Sequence, residues 1–308
     1  MKLIQWLRIA VIGTAACLSS VANATDYTMT AINVAGATDT AAYGVNNHGQ
    51  VVGNSFDSSG VQHAFVFSAG TTTMLSGPSG SLGSGAFGIS DDGVVVGSYA
   101  DASTTRGFIY EGGIYQDFYI PGSFATVVRG ISSNGRYIAG SYGKDGIYQN
   151  AFVLDRLTND LRLVQTNALL HGVNNSGVAA GGSFAGDQNP FIYDFMSGTI
   201  SWQPQPYTRY RGINNHADIT GAALDAGLVG FHGKPGSFES LPLLAGYDDM
   251  LPEGINDAGW IVGVVTNYQG DVPVSSGFIA IPTAVPEPST YLLLALGLTA
   301  LGLRSRRR

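Results

Sequence analysis

Six copies of one motif, spaced almost evenly, confine this chain to a repeat architecture. They begin at Gly44 (GVNNHGQVVG), Gly88 (GISDDGVVVG), Gly130 (GISSNGRYIAG), Gly172 (GVNNSGVAAG), Gly212 (GINNHADITG) and Gly254 (GINDAGWIVG), at intervals of 44, 42, 42, 40 and 42 residues. A near-constant period of this size marks one supersecondary unit that buries its apolar face by stacking on its neighbours. Each copy parses as a short strand, an Asn/Asp/Ser-Gly turn and a second strand such as Val51-Val52 or Ile261-Val262. Asn and Gly suit that turn because its central residues take positive φ. After a variable loop comes an apolar third strand, for example Ala64-Phe65-Val66-Phe67 or Pro190-Phe191-Ile192-Tyr193. A fourth follows, as in Ile114–Ile120, 161–165 or 199–203.

Four strands in about 42 residues is the size of a β-propeller blade. The ends of the array bear on how it closes. The sixth copy has no room for a fourth strand before Thr283, whereas Tyr27–Val34 is a strand without a repeat. Pairing the two closes a ring and removes exposed edges. The fold expected is therefore all-β, a six-bladed propeller over residues 25–283 closed by its N-terminal strand, with short hydrophobic helices at both termini. An open β-solenoid and an antiparallel sandwich are the rival architectures. The recurring Phe65, Phe108, Phe152, Phe191, Phe231 and Phe278 read as packing between blades.

Both termini are directed at a membrane. Lys2 and Arg8, the apolar run from Ile9 to Leu18, and Ala22-Asn23-Ala24 form the three parts of a secretory signal, with cleavage after Ala24. Ten apolar residues are too few to cross roughly 30 Å of hydrocarbon, which argues against a permanent anchor. Cys17, the sole cysteine, leaves with that leader unless it is a lipoprotein acceptor, so the exported body is held by its core rather than by disulfides. At the other end, residues 284–308 hold Pro286-Glu287-Pro288, an apolar stretch from Tyr291 to Leu303, and a basic end from Arg304 to Arg308. The prolines keep Glu287 out of helix, and the arginines hold the end of the apolar stretch, read as a transmembrane helix, on the cytoplasmic side.

This tail resembles the PEP-CTERM sorting signal of exopolysaccharide-producing Gram-negative bacteria. The resemblance implies an exosortase as partner in the inner membrane, an anchored intermediate, removal of the tail, and delivery to the cell surface or matrix. The repeats in turn resemble the extracellular HAF repeat, whose name matches His63-Ala64-Phe65. The fifth copy departs from it with Ala217 in place of the turn glycine, and the third carries an extra residue before Gly140, read as a bulge.

Between Thr25 and Val285 there are 9 basic and 21 acidic residues, a balance of −12. Nucleic acid is a poor partner for such a surface, and cations or neutral sugars suit it better. The five histidines, His48, His63, His171, His216 and His232, form no metal-ligand spacing. There is no Gly-x-Ser-x-Gly elbow and no P-loop. Asp91-Asp92-Gly93 and Asn256-Asp257 lack the spacing of an EF-hand and read as turns. Each loop between second and third strands does hold an aspartate: Asp57, Asp101, Asp145, Asp187, Asp225 and Asp271. On one face of a ring these form an acidic rim, with loop capping as the plain reading and binding of calcium or a cationic partner as the functional one. Tyr142, Tyr148, Trp202, Tyr207 and Tyr210 fall outside the repeat pattern and are candidates for stacking on sugars. The function expected is a monomeric, non-catalytic surface or matrix protein that binds exopolysaccharide or serves as a spacer. The alternative is a secreted polysaccharide hydrolase or lyase, which needs two convergent acids some 5 to 10 Å apart.

Overall fold

The computed structural model describes residues 26–144, 147–164, 167–183, 189–205, 208–224, 228–269 and 272–283. Every regular element in them is a strand. β1 (Tyr27–Ile32) precedes the first repeat, β2 (Asp39–Val45), β3 (Val51–Phe56), β4 (Gln62–Ser68) and β5 (Thr71–Met74). The second comprises β6 (Gly83–Ile89), β7 (Val95–Ala100), β8 (Thr105–Glu111) and β9 (Ile114–Phe118). In the third are β10 (Ala125–Ile131), β11 (Tyr137–Lys144), β12 (Ile147–Asp155) and β13 (Asp160–Val164). The fourth holds β14 (Ala168–Val173), β15 (Val178–Ser183), β16 (Pro190–Asp194) and β17 (Thr199–Trp202). Next come β18 (Thr208–Ile213), β19 (Ile219–Leu224), β20 (Leu228–Lys234) and β21 (Ser237–Ser240). The last copy has β22 (Asp249–Ile255), β23 (Ile261–Gln269) and β24 (Val272–Pro282).

These strands form an all-β propeller with four discrete four-stranded blades: β2–β5, β14–β17, β18–β21, and β22–β24 completed by β1. The expectation of six separate blades is corrected here. The second and third repeats share one eight-stranded sheet, because β10 starts close enough to β8 for a parallel ladder pair, Ala125 with Thr105. The Thr104 hydroxyl donates to the Phe124 carbonyl beside that junction. The expected terminal helices are corrected as well. The described residues contain no helix, and hence none long and apolar enough to cross a membrane. Residues 1–25 and 284–308, where the hydrophobic segments fall, lie outside the described residues.

The strands that open the repeats, β2, β6, β10, β14, β18 and β22, each touch the next, and β22 touches β2, so they surround a central channel. Their glycines make this possible. A Cβ on Gly130 would sit 2.2 Å from the His171 carbonyl oxygen and 3.1 Å from the Gly172 Cα, so backbone packs on backbone around the ring. A second set of glycines faces the repeated phenylalanines. Gly53 pairs with Phe65, Gly97 with Phe108, Gly140 with Phe152 and Gly263 with Phe278, and each ring covers the vacant side-chain position opposite it. All six phenylalanines of the set are at most 1% exposed, which makes them core.

The turn after each innermost strand ties it to its neighbour. Asn46 Oδ1 accepts from the backbone N–H of His48 (3.1 Å) and Gln50 (2.9 Å), and its Nδ2 donates to the Ser90 carbonyl at 3.0 Å. Asn174 donates likewise to Asn214 O, Asn214 to Asn256 O, and Asn256 to Asn46 O. The recurring Asn is therefore a clamp between repeats as well as a turn former. Ala217 adopts φ 59° where the other copies place a glycine at φ 73° to 81°. In the third copy the extra residue lies in the turn, which closes from Ser132 N to Tyr137 O, and not in a bulge before Gly140.

Candidate functional site at the channel mouth

Each innermost strand carries one β-bulge, located one residue before the repeat glycine. The register shifts fall between Ala42 and Gly44, Ala86 and Gly88, Val128 and Gly130, Leu170 and Gly172, Tyr210 and Gly212, and Pro252 and Gly254. A bulge leaves one residue unpaired and re-aims its side chain. The six residues so released are Tyr43, Phe87, Arg129, His171, Arg211 and Glu253, and together they line a cavity of about 70 Å³ in the channel. The next residue but one in each strand, Val45, Ile89, Ile131, Val173, Ile213 or Ile255, closes the channel below them. That apolar collar separates the cavity from a second, smaller one lined by the turn residues, including Asn47, Ser133, Asn215 and Asp257.

Two aromatics and four polar groups share the mouth. Tyr43 and Phe87 meet edge to face with centroids 5.0 Å apart, and the Arg129 guanidinium lies 5.9 Å from the Phe87 centroid. Arg129 Nε donates to Ser141 Oγ at 3.3 Å. Arg211 Nη1 donates to Glu253 Oε2 at 3.2 Å and lies 3.5 Å from His171 Nδ1. The Arg211 Nε is buried and has no hydrogen-bond partner among the described residues. With His171 neutral the two arginines outweigh Glu253 by one charge, so a cationic throat sits in an acidic body.

Burial dominates the electrostatics. It pushes the Tyr43 hydroxyl up to about 12, with Glu253 adding to the shift. It brings Arg129 down to about 10, and the neighbouring Arg211 charge works in the same direction. At neutral pH Arg129 thus stays charged. The Glu253 carboxyl is raised by burial, against the pull of Arg211 and Arg129. His171 is held well below the ordinary histidine value by burial, then by Arg211, Arg129 and Arg209. Its unfolded form takes up a proton near pH 6.5 while the folded form does not, so stability is intact above that pH and is lost as pH falls below it. Thermal unfolding of the full chain should show this decline between pH 7.5 and 5.5, with a slope of at most about 1.4 kcal/mol per pH unit from this group. His171→Gln should flatten that part of the profile.

The residues singled out from sequence are distributed differently. Asp57 and Asp101 occupy the β3–β4 and β7–β8 loops, on the face where the Tyr43 side of the channel opens. Asp57 accepts from Ser59 and pairs with His63 Nε2 at 2.9 Å; His63 and then Ser59 hold its carboxyl well below the usual range. Asp101 accepts from Ser103 and Thr104 and from Arg106 Nε at 2.9 Å, with Ser103 the largest influence lowering it. Both carboxylates are engaged by their own loops. Asp145, Asp187, Asp225 and Asp271 lie outside the described residues, as do Ala22, Ala24, Pro286, Glu287 and Pro288. No group of three or more His, Cys, Asp or Glu side chains suited to a metal occurs among the described residues. Two stacking candidates are corrected: Tyr142 and Tyr210 are 2% and 0% exposed and belong to the core. Trp202 is exposed and packs against Phe191, while Tyr207 and the side chain of Tyr148 lie outside the described residues. The channel set escaped the sequence reading because its six members share no chemistry. What marks them is position, immediately before each repeat glycine.

Residues 284–308 match the family model described as the PEP-CTERM protein-sorting motif. No curated protein matches the chain. Among solved structures, TolB from Acinetobacter baumannii is similar at a TM-score of 0.55 and 10% identity, over 76% of this chain and 63% of that one. This chain therefore spans less than two thirds of that TolB. An oligogalacturonate lyase in complex with manganese matches at a TM-score of 0.48 and 9% identity, over 83% of this chain and 96% of that one. A chain of a nidogen/laminin complex matches at 0.46 and 12%, over 74% of this chain and 89% of that one. At such identities the likeness to TolB concerns the fold alone, and the other two carry no argument. The chain is an exported β-propeller bearing a PEP-CTERM motif, a tail that implies an exosortase as its partner and sorting toward the cell surface.

Proposed function

We propose that the propeller is a non-catalytic binding module shown at the cell surface or in the extracellular matrix, with the channel mouth as its ligand face. In this reading an exosortase in the inner membrane processes the tail from an anchored intermediate, and the HAF-like repeats supply a monomeric wheel that holds exopolysaccharide. The observation that carries the reading is a contrast within each repeat. The glycine at which innermost strands touch recurs in all six copies, and the turn residue two positions after it is Asn or Ser throughout, the four asparagines clamping the next repeat. The bulged residue just before that glycine changes at every step, running Tyr43, Phe87, Arg129, His171, Arg211, Glu253. Packing rewards uniformity in a ring, and a site requires unlike groups converging on one space.

The mouth also disfavours hydrolysis. Glycosidases divide labour between two carboxyls. Here the lining contains one, Glu253, and Arg211 engages it. A co-sedimentation assay of the full-length chain in mild detergent with native exopolysaccharide tests both halves of the proposal. The chain should sediment with the polymer and release no new reducing or unsaturated ends. Chain left in the supernatant overturns the binding role, and accumulating ends overturn the non-catalytic one.

A further inference from the structure

The channel mouth has the features of a receptor for one carboxylate carried on a ring. Its charge is the first argument. Arg129 and Arg211 enter the same cavity, burial and then the Arg211 charge lower Arg129, and Glu253 can neutralise only one of the two cations. Arg211 is 13% exposed in its side chain and spends Nη1 on Glu253 and His171, leaving the buried Nε without a partner. A buried guanidinium N–H without an acceptor costs free energy, so the protein itself satisfies the Arg211 cation only in part. Among the described residues no carboxylate forms an ion pair with Arg129.

Shape supplies the second argument. The cavity of about 70 Å³ is floored by the collar of Val45, Ile131 and their equivalents, so a carboxylate enters while the bulk of its carrier remains above. In the same ring of six lie Tyr43 and Phe87, a half-buried aromatic pair against which a ring can rest. The carrier must otherwise be close to neutral, because the surrounding body holds a net charge of −12 and repels polyanions over a Debye length. We infer that the mouth binds a monoanion in which one carboxylate is attached to a six-membered ring, a sugar acid or an aromatic acid alike. Arg129 and Arg211 meet the carboxylate, His171 stays neutral beside it, and Tyr43 with Phe87 contact the ring.

The inference rests on the channel mouth being the ligand face, but it is tested without any polymer. Titration calorimetry of the full-length chain in mild detergent uses three probes: glucuronate, benzoate and glucose. At least one acid should bind at least about tenfold more tightly than glucose, as expected when charge-assisted hydrogen bonds are added. Which acid binds better identifies the ring. Arg129→Gln, judged folded by its unchanged circular dichroism, should weaken the acid roughly tenfold. Glu253→Gln should strengthen it about threefold or more, since the internal competitor for Arg211 is removed. A purely structural role for Glu253 predicts no such gain. Equal affinity for acid and glucose, or an Arg129→Gln chain that binds as well as the parent, overturns the inference. Acid binding without polymer sedimentation would leave this site standing and remove the exopolysaccharide reading alone.

Discussion

Gly130→Ala should lose about 3 to 5 kcal/mol of folding stability, a loss reserved for overpacking against structure that cannot yield. The added Cβ would lie 2.2 Å from the His171 carbonyl oxygen and 3.2 Å from the carbonyl carbon, both in the backbone of the neighbouring repeat. That carbonyl belongs to the bulge of β14, so relief requires the ring to open at one junction or the bulge to move. Urea unfolding followed by tryptophan fluorescence measures the effect. Gly182→Ala is the matched control: its Cβ would meet nothing nearer than Arg209 atoms at 3.7 Å, and the change should fall within about 1 kcal/mol of zero. Equal behaviour of the two variants would mean that the innermost strands do not touch as described.

Arg211→Ala should cost about 3 to 5 kcal/mol at neutral pH, because it strands a buried carboxylate. Glu253 is 6% exposed in its side chain and has Arg211 as its hydrogen-bonded cation. The loss should be pH-dependent with a definite sign. Burial already raises the Glu253 carboxyl, and removing Arg211 raises it further. A carboxyl raised in the folded state leaves stability intact below its unfolded value, near 4.3, and erodes it as pH climbs through the folded value. The variant should therefore recover part of its deficit relative to the parent between pH 7 and pH 5. Arg211→Met with Glu253→Met removes both charges and should be less damaging than the single change. Melting curves at the two pH values decide the matter, and a deficit independent of pH would show that Glu253 is solvated.

The local grammar of this fold is written openly in its residues. Asn46, Asn174, Asn214 and Asn256 announce turns, and the Gly–Phe pairs announce strands that face each other. Tyr27–Ile32 lacks a repeat and the last repeat lacks a strand, and the two lie side by side in the structure. The joining of the second and third repeats was hidden, since it depends on a backbone approach at the single ladder pair between Ala125 and Thr105, which no side-chain pattern encodes. The channel site was hidden for another reason. A bulge leaves no mark on composition, and Arg129, His171 and Glu253 in a strand read as ordinary solvent-facing residues until the register shift turns them inward. The aspartates drew attention because they recur, although Asp57 and Asp101 serve their own loops. In a repeat protein, recurrence identifies scaffolding, and the informative positions are those where the copies disagree.

The first strand and the last share a seam. β1 runs antiparallel to β24 from Tyr27 opposite Pro282 to Ile32 opposite Gly277, and Thr283 donates twice to the Asp26 carbonyl, at 2.8 Å and 2.9 Å. About 250 residues separate the two partners along the chain. Such a long-range closure is slow, and it waits for the final repeat. The leading strand therefore stays unmatched until the rear of the polypeptide reaches it, and the wheel locks last at this seam. Because Asp26 and Thr283 adjoin at that lock, the described chain enters and leaves the wheel at one point, and the seam closes without help from anything beyond either end.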